Sequence, residues 1–75
     1  MEKGGNKMKI EGREVDSYKN FLDLVTYVPF HAKGNAQHED CEQGVIIEVR
    51  EENVMVLYCK SRTVQATDPE NLVWG

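Results

Sequence analysis

The alternation of apolar and polar residues between Leu24 and Trp74 is the feature that most limits how this chain can fold. β-Branched and aromatic residues recur there in short runs, and Gly, Pro, Asn and Asp separate the runs. This pattern is typical of β-strands joined by turns. It predicts an all-β domain with five short strands, at 24–28, 44–50, 54–59, 63–67 and 72–74.

Two of these strands carry most of the predicted core. In strand 44–50, Val45, Ile47 and Val49 alternate with a second row, which predicts one row in the core and the other mostly in water. The second row is Ile46, Glu48 and Arg50. Strand 54–59 is apolar on both faces, which indicates a central strand or a strand with one face toward a partner.

The N-terminal third has weaker signals. Residues 1–9 are rich in Gly and Lys and predict a disordered tail before a single domain at 10–75. Residues 9–15 predict a short strand or hairpin around Glu11-Gly12. Residues 16–21 predict one helical turn, capped by Asp16 or Ser17. The residues expected to face inward there are Tyr18, Phe21 and Leu22.

The C-terminal third contains a helix-start signal. Thr67-Asp68-Pro69-Glu70 matches a capping box with proline in the first turn, so we expect a short 3₁₀ turn before the last strand. Seventy-five residues suffice for one small domain with a marginal core. Domains of this size often add a disulfide, a metal or a partner subunit.

The element order resembles the SH3-like barrel group, which includes Tudor and KOW modules. The resemblance is carried by residues 25–29, 44–49, 54–58 and 69–72. A second likeness is to short proteins of bacteria and their phages or mobile elements with a V-x-Y-x-P … H-x-D/E-C-E-x-G-x-V layout. These resemblances cover residues 18–75 and imply a small antiparallel five-stranded barrel. They imply no activity, because a shared fold does not assign function.

Charge and composition limit the partners. The net charge is −4, and residues 35–55 carry six acidic side chains against Arg50 alone. Phosphate binding needs clustered Lys and Arg, so this balance disfavours nucleic acid. No apolar run approaches the ~20 residues of a membrane span, and residues 1–7 lack the apolar stretch of a secretory signal. We therefore expect a cytoplasmic protein with reduced thiols and no membrane contact.

The break at residues 30–42 holds both histidines and one of the two cysteines. Imidazole and thiolate are preferred zinc ligands, and four of them would close a tetrahedral structural site. The candidate ligands are His31, His38, Cys41 and Cys59. The alternative is no metal at all, with solvated histidines, a half-buried Cys41 thiol and Cys59 packed as a small core residue.

Two other uses of the cysteines have little support. A Cys41–Cys59 disulfide is disfavoured in a reducing compartment. Asp40 and Glu42 flank Cys41 and oppose the thiolate that nucleophilic catalysis needs. We therefore predict no catalytic residues, no required cofactor and no enzymatic activity.

The predicted function is that of a small interaction module. A protein partner would bind the loop 30–42 and one exposed edge of the barrel. Apolar contact area would come from Tyr27, Phe30 and Trp74, whereas Glu39, Asp40 and Glu42 would favour a basic partner. For Tyr27, Phe30 and Trp74 the alternative is a role in sealing the barrel.

Three further hypotheses stay open. Homodimerisation through strand 54–59 is one, and a zinc-stapled structural domain is another. The third is a nucleic-acid-associated barrel whose contacts would be Lys9, Arg13, Lys19, Lys33, Lys60 and Arg62. Steep salt dependence of DNA or RNA affinity would identify that last function.

Overall fold

The fold comes from a computed structural model that describes residues 8–35 and 37–75. Seven strands and two 3₁₀ turns make up its regular structure, which confirms the all-β prediction. The strands are β1 (Lys9–Ile10), β2 (Arg13–Glu14), β3 (Leu24–Tyr27), β4 (Glu42–Val49), β5 (Val54–Tyr58), β6 (Thr63–Thr67) and β7 (Leu72–Trp74). The 3₁₀ turns are Phe30–Ala32 and Pro69–Asn71.

The five strands predicted after Leu24 form one antiparallel sheet in the order β6-β5-β4-β3-β7. From β3 to β6, each strand pairs with the next strand along the chain. The chain then crosses back, so that β7 pairs with β3. β6 and β7 are therefore the two edges, and they do not pair with each other. The predicted N-terminal hairpin is confirmed as β1 paired with β2.

The core lies on one face of this sheet, under the N-terminal hairpin. Its buried members come from both sheets and pack as one cluster. They are Ile10, Val15, Val25, Ile46, Val54, Val56, Tyr58 and Leu72. In β5 the buried residues alternate with partly exposed ones, as a pleated strand requires. The side chains that point away from this core lie on the opposite face of the sheet, called the outer face below, where Leu57 of β5 is 37% exposed.

A β-bulge in β4 corrects the predicted core row. The pairing with β5 skips a residue between Ile46 and Glu48, and an extra residue in a strand reverses the side-chain alternation beyond it. Ile46 is therefore fully buried before the bulge, whereas Val49 packs against the core after it. Val45 and Ile47 are only partly buried, so the row Val45, Ile47 and Val49 does not form one core face.

The segment between β2 and β3 also differs from its prediction. The helical turn predicted at residues 16–21 forms as a hydrogen-bonded turn and not as a helix. Asp16 Oδ1 accepts the backbone N–H groups of Tyr18 and Lys19 at 2.7 and 3.1 Å, so Asp16 caps this turn. The inward orientation expected for Tyr18, Phe21 and Leu22 is wrong, because Tyr18 is 93% exposed and the other two are more than half exposed. The inward contact is polar instead: the backbone N–H of Val49 donates to Ser17 Oγ at 2.8 Å.

The two ends of the chain test the remaining fold predictions. The predicted tail lies outside the described residues up to residue 7, and Lys9 belongs to β1 rather than to that tail. The 3₁₀ turn before the last strand is confirmed, with Asp68 as its cap and Pro69 in its first turn. Within the described part of the chain, no helix is long and apolar enough to cross a bilayer.

Candidate functional site

The connection between β3 and β4 is a run of successive turns rather than an open loop. Its backbone hydrogen bonds recur every three residues, with N···O distances of 2.9–3.1 Å. The donors are Ala32, Asn35, His38 and Cys41, and each acceptor is the carbonyl three residues earlier. Because each turn reverses the chain, residues far apart in this segment come close together.

Three side chains of this loop converge on one point. His31 Nε2 lies 2.8 Å from Asp40 Oδ2, and His38 Nδ1 lies 3.9 Å from the same oxygen. The two imidazole rings stand nearly perpendicular, with centroids 5.5 Å apart. One possible ligand atom from each residue lies within 4.8 Å of the other two. The name "histidine cluster" is used below for His31, His38 and Asp40.

The electrostatics of the histidine cluster favour a charged carboxylate. The hydrogen bond from His31 is the main cause that lowers the pKa of Asp40. Desolvation of the carboxylate opposes this shift, and electrostatic interactions with His38, His31 and Lys60 reinforce it. His38 Nδ1 accepts the backbone N–H of Asp40 at 3.0 Å. A neutral His38 therefore carries its proton on Nε2.

The cysteines do not belong to the histidine cluster. The Cys41 thiol is half-buried and lies 3.5 Å from the carbonyl oxygen of Asn35. Cys59 is exposed at the end of β5, which corrects its predicted role as a small core residue. Both are free thiols. Of the four proposed zinc ligands, the structure thus gathers the two histidines, and it adds Asp40.

The three aromatic residues proposed for binding occupy different environments. Phe30 is 86% exposed in the first turn of the loop. Tyr27 is half-buried and packs edge-on against Tyr58, with ring centroids 6.2 Å apart. Trp74 is half-buried beneath Arg13, whose guanidinium carbon lies 4.2 Å from the centre of the indole ring. Phe30 alone among the three presents most of its surface to solvent.

The proposed acidic residues also divide by environment. Glu39 is exposed, whereas Asp40 belongs to the histidine cluster. Glu42 Oε2 accepts the backbone N–H of Ser61 at 2.6 Å. This bond ties the end of the loop to the turn between β5 and β6, so the loop borders the start of β6.

One edge of the sheet is covered by the N-terminal hairpin. The indole N–H of Trp74 donates to the carbonyl of Ile10 at 2.9 Å. The backbone N–H of Trp74 donates to Glu11 Oε1 at 2.7 Å. These two bonds, together with the stacking of Arg13, fix the hairpin β1–β2 against β7 and leave that edge blocked.

The other edge, formed by β6, is open along the described chain. No second strand pairs with the far side of β6, and four of its five residues are exposed. Natural edge strands are usually protected by charge, proline, a bulge or extreme shortness. β6 contains no charged residue and no proline, and its register with β5 is regular over all five pairs.

The outer face carries an apolar row that ends at this open edge. Cross-strand pairing aligns Leu24 with Val45, Val45 with Leu57, and Leu57 with Val64. Leu24, Leu57 and Val64 are 43%, 37% and 47% exposed. Directly paired residues share a face of the sheet. The four side chains therefore form one stripe across four strands, called the outer row below.

Two of the six cations proposed for nucleic acid are engaged within the chain. Arg13 stacks on Trp74, and Lys33 Nζ donates to the carbonyl of Glu70. These contacts weaken the hypothesis of a continuous basic surface.

Sequence reasoning missed the β6 edge and the role of Asp40 beside the histidines. The uncharged run Thr63-Val64-Gln65-Ala66-Thr67 was the available signal for the former. No signal in the sequence showed that the loop folds back on itself. No family model, curated protein or solved structure matches this chain, so the geometry has to support any proposal alone.

Proposed function

We propose that this chain is a non-enzymatic protein-interaction module that binds an extended segment of a partner as an added strand along β6. The observation that carries the proposal is the difference between the two edges of the sheet. Hydrogen bonds that Trp74 of β7 donates to the N-terminal hairpin block β7, whereas β6 lies exposed and uncharged. An edge strand of this kind is a template for pairing with another chain.

The scaffold of this module is proposed to be an SH3-like barrel. Two features support that assignment: β7 returns to pair with β3, and a 3₁₀ turn precedes it. Because β6 and β7 do not pair with each other, closure of the barrel is itself part of this proposal. The expected compartment is still the cytoplasm, on the sequence argument given above.

The outer row supplies the specificity of the proposed binding. Val64 is its last member, so alternate side chains of an added strand would lie beside it on the same face. Apolar residues at those positions would extend the row by one strand and remove Val64 from water. The segment bound would therefore alternate apolar and polar residues.

The loop provides a second contact in this proposal. The hydrogen bond from Ser61 to Glu42 places the loop beside the start of β6. Exposed Phe30 offers apolar area, and exposed Glu39 offers negative charge. A basic residue next to the bound strand would gain from that charge mainly in association rate.

The proposal is tested with a displayed library of random octapeptides selected against the purified protein. Selected peptides are expected to alternate apolar and polar residues, and in NMR titrations to shift the amide signals of β6 more than those of β7. Val64→Lys should weaken their binding about tenfold, since a lysine on an edge strand opposes pairing.

The matched control is Val73→Lys, the same change on the outer face of the blocked edge strand. It should leave peptide affinity unchanged, once circular dichroism shows that both variants are folded. Selected peptides that shift β7 or the loop alone, or a selection without binders, would overturn the proposal.

A second candidate function, a metal-stapled loop, is favoured by the convergence of His31, His38 and Asp40. Two imidazoles and a carboxylate are a common zinc ligand set, with water completing the tetrahedron. Asp40 Oδ2 lies 2.8 Å from His31 Nε2 and 3.9 Å from His38 Nδ1, compared with ~3.3 Å between ligands of a tetrahedral zinc ion with bonds of about 2.0–2.1 Å. Binding through His38 Nδ1 would require that nitrogen to release the backbone N–H of Asp40.

Calorimetric titration of untagged protein with ZnCl₂ tests this function. Binding should be lost in His31→Ala and in Asp40→Asn, and should persist in Glu39→Gln, which removes a neighbouring charge outside the cluster. Cys41→Ser and Cys59→Ser separate this site from the four-ligand site expected from the sequence. Loss of binding in either serine variant, or no binding to the unmodified chain, would contradict the histidine cluster as the ligand set.

A further inference from the structure

We infer that the partner of the β6 edge is a second copy of this chain, and that the two β6 strands pair antiparallel about a two-fold axis at Gln65. This inference rests on the proposed function, because it names the occupant of the same edge. A two-fold interface brings one surface against its own copy, so that surface must be complementary to itself. The residues in and around β6 meet that condition in three ways.

The sequence of β6 is complementary to that of a second β6 strand running in the opposite direction. Pairing centred on Gln65 sets Val64 opposite Ala66 of the second copy, and Thr63 opposite Thr67 of the second copy. Val64 and Ala66 lie two residues apart, so both point to the outer face. Apolar side chains thus meet on that face, and the outer rows of the two copies come side by side.

The charges that flank β6 are arranged with opposite signs at its two ends. Lys60 and Arg62 precede the strand, whereas Asp68 and Glu70 follow it. In the same register, Arg62 lies opposite Asp68 of the second copy. Lys60, in the turn before β6, and Glu70 of the second copy, in the 3₁₀ turn after β6, lie beyond the paired strands at the same end of this interface, and the two-fold axis repeats both charge pairs at the other end. Opposite charges facing each other across strands stabilise the pairing.

These four charges are available for such contacts. All four residues are exposed. None of these four side chains forms an ion pair with another described residue. Asp68 Oδ1 accepts the backbone N–H of Glu70, which leaves its second oxygen for a cation.

The charges also select this register over its alternatives. A parallel arrangement in register would bring Arg62 next to Arg62 of the second copy. An antiparallel arrangement centred one residue away would set Arg62 opposite Ala66 or opposite Glu70 of the second copy, so Arg62 would no longer face Asp68. The centre at Gln65 alone sets Arg62 opposite Asp68 and Val64 opposite Ala66.

Sedimentation equilibrium over a wide range of protein concentration tests the inference with charge-reversed variants. The unmodified chain should dimerise. Lys60→Glu and Glu70→Lys should each weaken dimerisation about tenfold, since each places like charges together at both ends. An equimolar mixture of the two variants should recover the affinity as a heterodimer, and the double variant K60E/E70K should recover it as a homodimer.

Matched controls carry the same charge changes away from β6. Lys19→Glu and Asp23→Lys, both at exposed positions outside the proposed binding surface, should leave dimerisation unchanged. Failure of the mixture and of the double variant to recover affinity would overturn the inferred register. A chain that stays monomeric throughout while selected peptides still bind β6 would overturn the inference and leave the proposed function standing. Loss of peptide binding as well would remove both.

Discussion

At the scale of single residues, Gly44 shows how closely the central strands approach. A Cβ atom at this position would lie 2.6 Å from the carbonyl oxygen of Leu57 and 2.6 Å from Val56 Cγ1. The first contact is with the backbone of central strand β5, which cannot rotate away as a side chain could. The close approach of β4 and β5 therefore requires glycine at position 44.

Gly44→Ala should lower the free energy of unfolding by about 1–3 kcal/mol, the usual cost of overpacking. That cost exceeds the gain of about 0.4–1 kcal/mol that alanine brings by restricting the unfolded chain. Urea denaturation measures the difference, and Glu52→Ala at an exposed turn is the neutral control. An unchanged unfolding free energy for Gly44→Ala would show that β4 and β5 are farther apart than described.

The sequence predicts the contacts of individual side chains only in part. The two histidines were recognised as potential ligands by their chemistry. The sequence indicates only that Asp40 is acidic. It does not indicate the contact with His31, because that contact depends on the turns that bring these two positions, nine residues apart, together. The orientation of Tyr18 was wrong because Asp16 and Ser17 direct this segment through polar contacts, which hydrophobicity alone does not indicate.

At the scale of elements, the N-terminal hairpin is held to β7 mainly through Trp74. Its indole N–H binds the carbonyl of Ile10, and Arg13 stacks on its ring. Ile10 and Val15, on either side of the turn, are buried in the core. Because its two strands have only two residues each, the hairpin depends on this contact with Trp74.

Trp74→Phe should keep the apolar contact but remove the hydrogen bond to Ile10 and weaken the interaction with Arg13. We expect a loss of about 1–2 kcal/mol in unfolding free energy. Hydrogen exchange at the Val15 amide, which bonds the carbonyl of Met8, should accelerate relative to β5. Tyr18→Phe, at a solvent-exposed ring, should change neither quantity. Equal exchange at Val15 in Trp74→Phe and the unmodified chain would contradict the role given to Trp74.

The elements differ in how far the sequence determines them. A continuous apolar run was sufficient to place β5, alternation was sufficient to place β6, and the proline-containing cap was sufficient for the 3₁₀ turn at Pro69. Alternation failed in β4, because a bulge changes the facing of residues beyond it without a distinctive residue at that point. Ile46 and Ile47 are chemically alike, so the pairing with β5 decides which one is buried.

At the scale of the whole molecule, the sheet is asymmetric. Short-range patterning predicted an antiparallel all-β domain, but it could not show which strand would be left without a neighbour. That depends on the crossover that brings β7 to β3 and on the hairpin that covers β7. As a consequence of this arrangement, β6 is an exposed edge strand without charged residues. The charged residues that flank it have opposite signs at its two ends.

Hydrogen–deuterium exchange along β6 and β7, recorded at low and at high protein concentration, tests most directly whether β6 is the open edge. In dilute solution the β6 amides that do not bond β5 should exchange rapidly, and their exchange should slow as concentration rises and copies pair. The β7 amides should exchange at a rate independent of concentration. Exchange along β6 that is slow even at the lowest concentration, or concentration dependence confined to β7, would contradict the account.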